Sequence, residues 1–177
     1  AHAIRMTFTS NHDKNSWEGT EFEAFGEALP AAMVLGFVGE GIPLIYNGQE
    51  AAYDKRLEFF ERDPIVWREH PMADFYRRLI DLRTANTALH SGRWGARMVH
   101  VPSDRQGKVL SFVRQNGRDK VFAVFNFSGE AQTVRFHDGP QAGDYTDWER
   151  GERVTLRDDE PMSLPAWGWR VFVADPR

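Results

Sequence analysis

Three polar residues, Asn11, His12 and Asp13, follow one another near the start of the chain. Their amide, imidazole and carboxylate groups can hydrogen-bond a polar substrate or take part in proton transfer. On its own, a His-Asp pair more often belongs to a solvated turn in which the aspartate caps the next segment. The elements that surround the pair therefore decide between a reactive site and a turn.

The residues before this triplet predict a β-strand. Apolar and polar side chains alternate from Ile4 to Thr9, which is the period of two that a strand produces. The triplet then lies at the C-terminal edge of the strand. In barrels of alternating strands and helices that edge carries the active site, because the loops leaving it converge on a shared crevice.

A helix and a second strand are predicted next. Apolar residues recur at spacings of three and four from Phe22 to Phe37, and Pro30 indicates either a kink or a second helix that starts there. After Gly41, the almost wholly apolar run 42–47 is typical of a strand covered on both faces. Glu50 then follows at the edge of the sheet where Asp13 is expected.

A long loop over residues 51 to 71 and another helix complete the first half of the chain. Pro71 suits the first turn of that helix, and its apolar face ends near Asn86. The order strand, helix, strand, helix implies parallel strands with right-handed crossovers. The chain lacks an initiator Met and enters the first strand within four residues, which favours a piece of a longer protein.

From about Ser91 the pattern changes to short β-runs separated by turn signals, which predicts an antiparallel β-sandwich. Asn116-Gly117 is the strongest hairpin signal. We place the boundary between a first domain, residues 1–88, and a second, residues 89–177. The predicted strands are Trp94–Val101, Lys108–Gln115, Asp119–Phe127, Ala131–His137, a run around Tyr145, and Gly168–Ala174.

Composition excludes several classes of function. The 22 Lys and Arg against 26 Asp and Glu give a net charge of −4, and no basic block suits a nucleic acid. No run approaches the roughly 18 apolar residues of a membrane span. Without Cys there is no disulfide or thiolate metal site, and the His residues lack ligand spacing, so we predict no metal site. The sequence does not indicate the cellular compartment of the protein.

Phe8-x-x-Asn11-His12-Asp13, followed some thirty residues later by the run from Gly41 to Glu50, closely resembles the α-amylase family of glycoside hydrolases. The resemblance implies an α/β plus all-β fold. The two motifs correspond to the seventh and eighth strands of a (β/α)8 TIM barrel, residues 82–89 are similar to the end of its eighth helix, and the β-rich remainder is placed like its C-terminal sandwich domain.

The same resemblance implies a retaining hydrolase of α-1,4-glucosidic bonds in starch or maltodextrins. Asp13 resembles the carboxylate that stabilises the transition state, and His12 resembles the imidazole that hydrogen-bonds the same sugar. The family's nucleophile and acid/base lie on the fourth and fifth strands, outside this chain, so the chain alone is expected to be inactive. No cofactor is implied within it, and calcium ligands would lie in the full-length parent.

Asn11, Trp17 and Glu50 are the candidate substrate-binding residues. Asn11 also suits a turn scaffold, and Glu50 more often accepts loop hydrogen bonds or pairs with a base. Trp17 is the best sugar-stacking candidate, whereas Phe59 and Phe60 suit a core equally well. The bases that could form an ion pair with Glu50 are Lys55 and Arg56.

Two further interpretations stay open. The parent protein is either this hydrolase, with an α-glucan as its partner, or a non-catalytic relative that uses the barrel for binding or assembly. A narrower alternative is a sugar-binding sandwich domain. We also expect the piece to self-associate, because two strands of a barrel leave unpaired edges and apolar faces.

Overall fold

The structure is a computed structural model that describes residues 3–174. The chain divides between Ala85 and Asn86 into two compact units, here called unit 1 and unit 2. The sequence-based prediction put the boundary between residues 88 and 89. No helix among the described residues is long and apolar enough to cross a membrane.

Three α-helices lie in the described part of unit 1. Helix α1, Glu21–Phe25, begins at a capping box: Thr20 accepts a hydrogen bond from the Glu23 amide and donates its own amide to the Glu23 carboxylate. Helix α2, Leu29–Val38, holds Pro30 in its first turn, so the chain takes the second of the two predicted arrangements, a new helix rather than a kink. Helix α3 spans Pro71–Ala85, close to its predicted bounds.

Two short parallel strands run beside these helices. Strand β1, Met6–Thr7, pairs with β2, Ile42–Pro43, so that Met6 lies beside Ile42. The Ile42 amide donates to the Arg5 carbonyl at 2.8 Å. Gly41 permits this approach, because its φ is +134° and a Cβ there would lie 2.8 Å from the same carbonyl oxygen.

The prediction that the run 42–47 is a strand covered on both faces was wrong. The strand has only two residues, and Ile42 is 47% exposed. Thr7 donates its hydroxyl to the Gly36 carbonyl of α2, so the polar face of β1 packs toward that helix. The other face of the pair is apolar and exposed, and we call it the open face; it consists of Ile4, Met6, Phe8 and Ile42.

Unit 2 is a sandwich of antiparallel strands. One sheet has six strands in the order β3-β4-β5-β10-β7-β8, and the second pairs β6 with β9. The predicted hairpin forms where Asn116 pairs with Asp119. Strands β8 and β9 were not predicted. The strands are β3 Val99–His100, β4 Val109–Asn116, β5 Asp119–Asn126, β6 Gln132–Val134, β7 Gly143–Asp147, β8 Arg153–Leu156, β9 Met162–Leu164 and β10 Trp169–Ala174.

The core of unit 2 fills the space between its two sheets. Because side chains on a strand alternate between faces, every second residue of β4, β5 and β10 contributes to it. Phe122 packs edge-on against Phe136, which follows β6 in the chain, and stacks on Phe172 of β10. The short β-runs separated by turns, which predicted a sandwich, therefore supply the strands around this core.

Candidate functional site

His12 and Asp13 lie just beyond β1, where the chain enters a π-helical turn, Lys14–Glu18. Asn11 forms this bend: its side-chain oxygen accepts from the Lys14 amide at 2.8 Å, and its carbonyl accepts from the Asn15 amide at 2.9 Å. Asn11 therefore acts as the turn scaffold. The turn presents His12 and Asp13 to solvent with their side chains 66% and 62% exposed.

An aromatic cluster lies beside this pair, and we call it the aromatic platform; it comprises Trp17, Phe59 and Phe60. The ring centroid of Phe59 lies 5.9 Å from that of His12 and 5.3 Å from that of Trp17. Phe60 contacts Phe59 edge-on at 4.9 Å. Phe59 is 39% exposed and Phe60 is 82% exposed, so the alternative that the two phenylalanines are core residues was wrong, and Trp17 is also exposed.

The platform depends on one buried amide. Asn15, which is almost fully buried, donates to the Lys55 carbonyl at 3.0 Å and accepts from the Leu57 amide at 2.7 Å. These bonds hold residues 55–57 of the long loop against the π-helical turn. Phe59 is thereby brought beside His12.

Asp63 stabilises the same loop. Its carboxylate accepts from the Lys55 ammonium at 2.6 Å and from the Glu58 amide at 3.0 Å. These hydrogen bonds hold the pKa of the Asp63 carboxyl below its usual range. The loop that carries the aromatic platform is thus closed by an ion pair that spans eight residues.

A cavity of about 340 Å³ opens beside the imidazole, within the size range of small-molecule sites. It brings together His12 from the end of β1, Asn47 from the segment after β2, and the loop residues Phe59 and Asp63. The two motifs separated in sequence therefore meet at the same edge of the parallel pair. The cavity has both an apolar wall and hydrogen-bonding groups.

Glu50 is not brought to this cavity. Its carboxylate accepts from the Gly48 amide at 3.1 Å, and its side chain borders a different cavity beside Tyr76 and Ile80. The two bases considered as its partners pair elsewhere, Lys55 with Asp63 and Arg56 with Glu23. The geometry of Glu50 fits the turn-capping role rather than contact with a ligand beside His12.

Sequence reasoning missed a buried hydrogen-bonded cluster beneath the site, which we call the clasp; it consists of Thr9, Glu21 and Gln49. The Thr9 hydroxyl donates to the Glu21 carboxylate at 2.6 Å, and the Gln49 amide donates both to that carboxylate and to Thr9. The sequence signal around Glu21 is that of a helix N-terminus, where acidic residues are usually solvated. Nothing local indicates that this one is buried.

The described residues, 3 to 174, contain no group of three or more His, Asp or Glu side chains that could hold a metal ion. The chemistry of the site is that of an exposed imidazole and carboxylate beside aromatic rings.

Comparisons with known proteins show what the chain is similar to. The family model described as "Alpha amylase, C-terminal all-beta domain" matches residues 100–161, within unit 2. Alpha-amylase 2 of Dictyoglomus thermophilum is 25% identical over 85% of the chain, and Alpha-amylase MalA of Haloarcula japonica is 28% identical over 98%. The chain spans about a quarter of the length of these two relatives, 26% and 25% respectively.

Among solved structures, a maltogenic alpha-amylase from Thermotoga neapolitana superposes with a TM-score of 0.78 at 20% identity. The match covers 97% of this chain and 41% of that protein, and it establishes similarity of fold. The family model within unit 2 and the two curated relatives support the resemblance of this chain to the α-amylase family of glycoside hydrolases.

Proposed function

We propose that the chain supplies Asp13 and His12 to the active site of a retaining glycoside hydrolase that cleaves α-1,4-glucosidic bonds in starch or maltodextrins. The observation that carries the proposal is the exposed His12–Asp13 pair beyond β1, beside an aromatic platform and a cavity of about 340 Å³. A polar edge next to exposed rings suits a sugar, which has hydroxyl groups around its rim and apolar C–H faces.

In such an enzyme the sugar passes through an oxocarbenium-like transition state between a nucleophilic carboxylate and an acid/base carboxyl. Asp13 is the third carboxylate, which holds the distorted sugar through hydrogen bonds that strengthen in the transition state. His12 donates a hydrogen bond to the same sugar ring. We propose that the nucleophile and the acid/base come from residues outside this chain.

We further propose that β1 and β2 are the last two strands of a (β/α)8 barrel, of which residues 1–88 form the C-terminal part. Three features support this: the two strands are parallel, the polar face of β1 packs on α2, and the open face is apolar. A closed barrel buries both faces of every strand, with helices outside and packed side chains inside. The open face corresponds to the inside.

The open face also bears on the chain when it is isolated. Its apolar side chains and the unpaired edges of β1 and β2 are surfaces that associate in water. We therefore expect the isolated chain to self-associate through this part of unit 1. Sedimentation of the isolated chain as a strict monomer at micromolar concentration would contradict this expectation.

The second candidate is a non-catalytic relative that binds an α-glucan without cleaving it. The exposed aromatic platform favours it, because sugar stacking requires no catalytic carboxylate. The proton NMR spectrum of maltoheptaose incubated with the protein that carries this chain separates the two. A retaining hydrolase releases the α-anomer first, whereas binding without any new anomeric signal would support the non-catalytic relative.

A further inference from the structure

The clasp connects the two strand ends that carry the proposed site. Thr9 follows β1 and lies three residues before His12, and Gln49 follows β2 and lies two residues after Asn47. Glu21 bonds to both, although it belongs to neither strand, being the first residue of α1. It is therefore the one member of the clasp that comes from a third element.

The clasp is largely buried, with Thr9 its one half-buried member. Glu21 and Gln49 are buried, and Gln49 uses its remaining oxygen to accept from the Tyr46 amide at 2.5 Å. One carboxyl oxygen of Glu21, Oε1, is buried without a hydrogen-bond partner among the described residues. An exposed carboxylate would bind water through both oxygens, whereas burial leaves this oxygen without a partner. The surrounding residues therefore keep the Glu21 carboxyl in place at a cost in solvation.

A buried carboxyl kept at this position needs a reason, because an apolar residue of similar size avoids the desolvation of a charge. The hydrogen bonds that it accepts fix the Thr9 and Gln49 side chains at the same time. They act on the two segments that also carry His12 and Asn47, which line the candidate cavity. Both hydrogen bonds end on the same carboxyl oxygen, Oε2 of Glu21, which therefore fixes the distance between those segments.

We propose that Glu21 is a positioning residue, whose carboxyl clasps Thr9 and Gln49 and thereby fixes the ends of β1 and β2 relative to each other. It contacts no substrate, and it acts on Asp13 and His12 through the backbone that joins them to Thr9. The expected effect on kcat rests on the proposed function. The expected effect on the positions of the two strand ends rests on the hydrogen bonds alone.

Burial raises the pKa of the Glu21 carboxyl, and the nearby Asp54 raises it further, against the hydrogen bonds from Thr9 and Gln49. The other titratable groups around the clasp are Tyr76 of α3 and, around the adjoining small cavity, Tyr46, Tyr53 and Lys55. Because the folded pKa lies above the unfolded value, the contribution of Glu21 to stability is complete below the unfolded pKa, about 4.3. It is lost as the pH rises through the folded pKa.

The kinetic test compares Glu21→Ala and Glu21→Gln with Glu27→Gln, an exposed neighbour in the next turn, in the protein that carries this chain. We expect Glu21→Ala to lower kcat about 10- to 100-fold with KM changed less than about threefold. Glu21→Gln should stay within about threefold of the parent, because the amide oxygen still accepts from Thr9. Equal kcat for Glu21→Ala and Glu27→Gln would overturn the inference.

Two further measurements keep the test decisive. If Glu21→Ala does not fold, Thr9→Val removes the two clasp bonds made by the Thr9 hydroxyl with almost no change of volume and should also lower kcat. Independently of activity, Glu21→Gln should gain stability relative to the parent as the pH rises above about 4.3, and a pH-independent difference would contradict the buried carboxyl. An Asp13→Asn variant with normal turnover would instead overturn the proposed function.

Discussion

The Nε2 atom of His12 lies 3.5 Å from the Oδ1 atom of Asp13, and both side chains face solvent at the end of a parallel strand. Adjacent residues on a regular strand point to opposite faces, so this proximity requires the strand to have ended. The π-helical turn that begins at Lys14 provides that end. The proximity of His12 and Asp13 therefore results from the turn. It depends on Asn11, whose side chain caps that turn.

The aromatic platform predicts an effect on sugar affinity. Replacing Trp17 by Ala should raise KM for maltoheptaose about 2- to 10-fold in the protein that carries this chain, since a stacked ring contributes about 0.5–1.5 kcal/mol. Trp94→Ala is the matched control, because Trp94 is 60% exposed but lies in unit 2. Equal KM values for the two variants would show that the platform does not bind substrate.

The buried amide of Asn15 predicts a local change in the loop. Asn15→Ala leaves the Leu57 amide without its acceptor, which costs about 1–3 kcal/mol, so exchange of that amide should accelerate about 10- to 100-fold. Asn15→Asp keeps the acceptor and should preserve most of the protection. Hydrogen exchange followed by NMR measures both, and unchanged protection in Asn15→Ala would contradict the assignment of this bond.

Acid should weaken unit 2 through Asp119. Its carboxylate accepts from both the amide and the hydroxyl of Thr87, which together hold its pKa below the usual range. This contribution to stability is present above the unfolded pKa, about 3.9, and is lost as the pH falls through the lower folded value.

Urea unfolding between pH 7 and pH 2.5 tests this dependence on Asp119. The stability difference between the parent and Asp119→Asn should be constant above about pH 5 and shrink below about pH 4. Thr87→Val removes one donor and should reduce the acid sensitivity. A difference that does not change over the whole range would contradict the role of Asp119.

Much of the fold could be predicted because its signals are local. Pro71 marks the start of α3, and Asn116-Gly117 marks the hairpin, because both restrict backbone angles within a few residues. Strands β8 and β9 escaped prediction because each is only three or four residues long, too short for an alternating pattern to stand out. The short β2 ends at Pro43, which cannot donate to a ladder.

The candidate site was predictable only in part. Its exposed members, His12 and Asp13, follow a recognisable strand and belong to a motif. Its supporting members do not, because the burial of Asn15 and Glu21 depends on contacts with residues about 30 to 40 positions away in the sequence. The packing of Thr7 and Thr9 was equally hard to predict, since these half-buried threonines are held by hydrogen bonds to α2 and α1 rather than by hydrophobicity.

The central claim is that Asp13 stabilises the transition state of glycoside hydrolysis. The most direct measurement is kcat for maltoheptaose with Asp13→Asn in the protein that carries this chain, beside Asp81→Asn, an exposed aspartate of α3, as the control. We expect Asp13→Asn to lower kcat about a hundredfold or more with its thermal unfolding unchanged, and the control to match the parent. Turnover of Asp13→Asn within a few-fold of the control would contradict the claim.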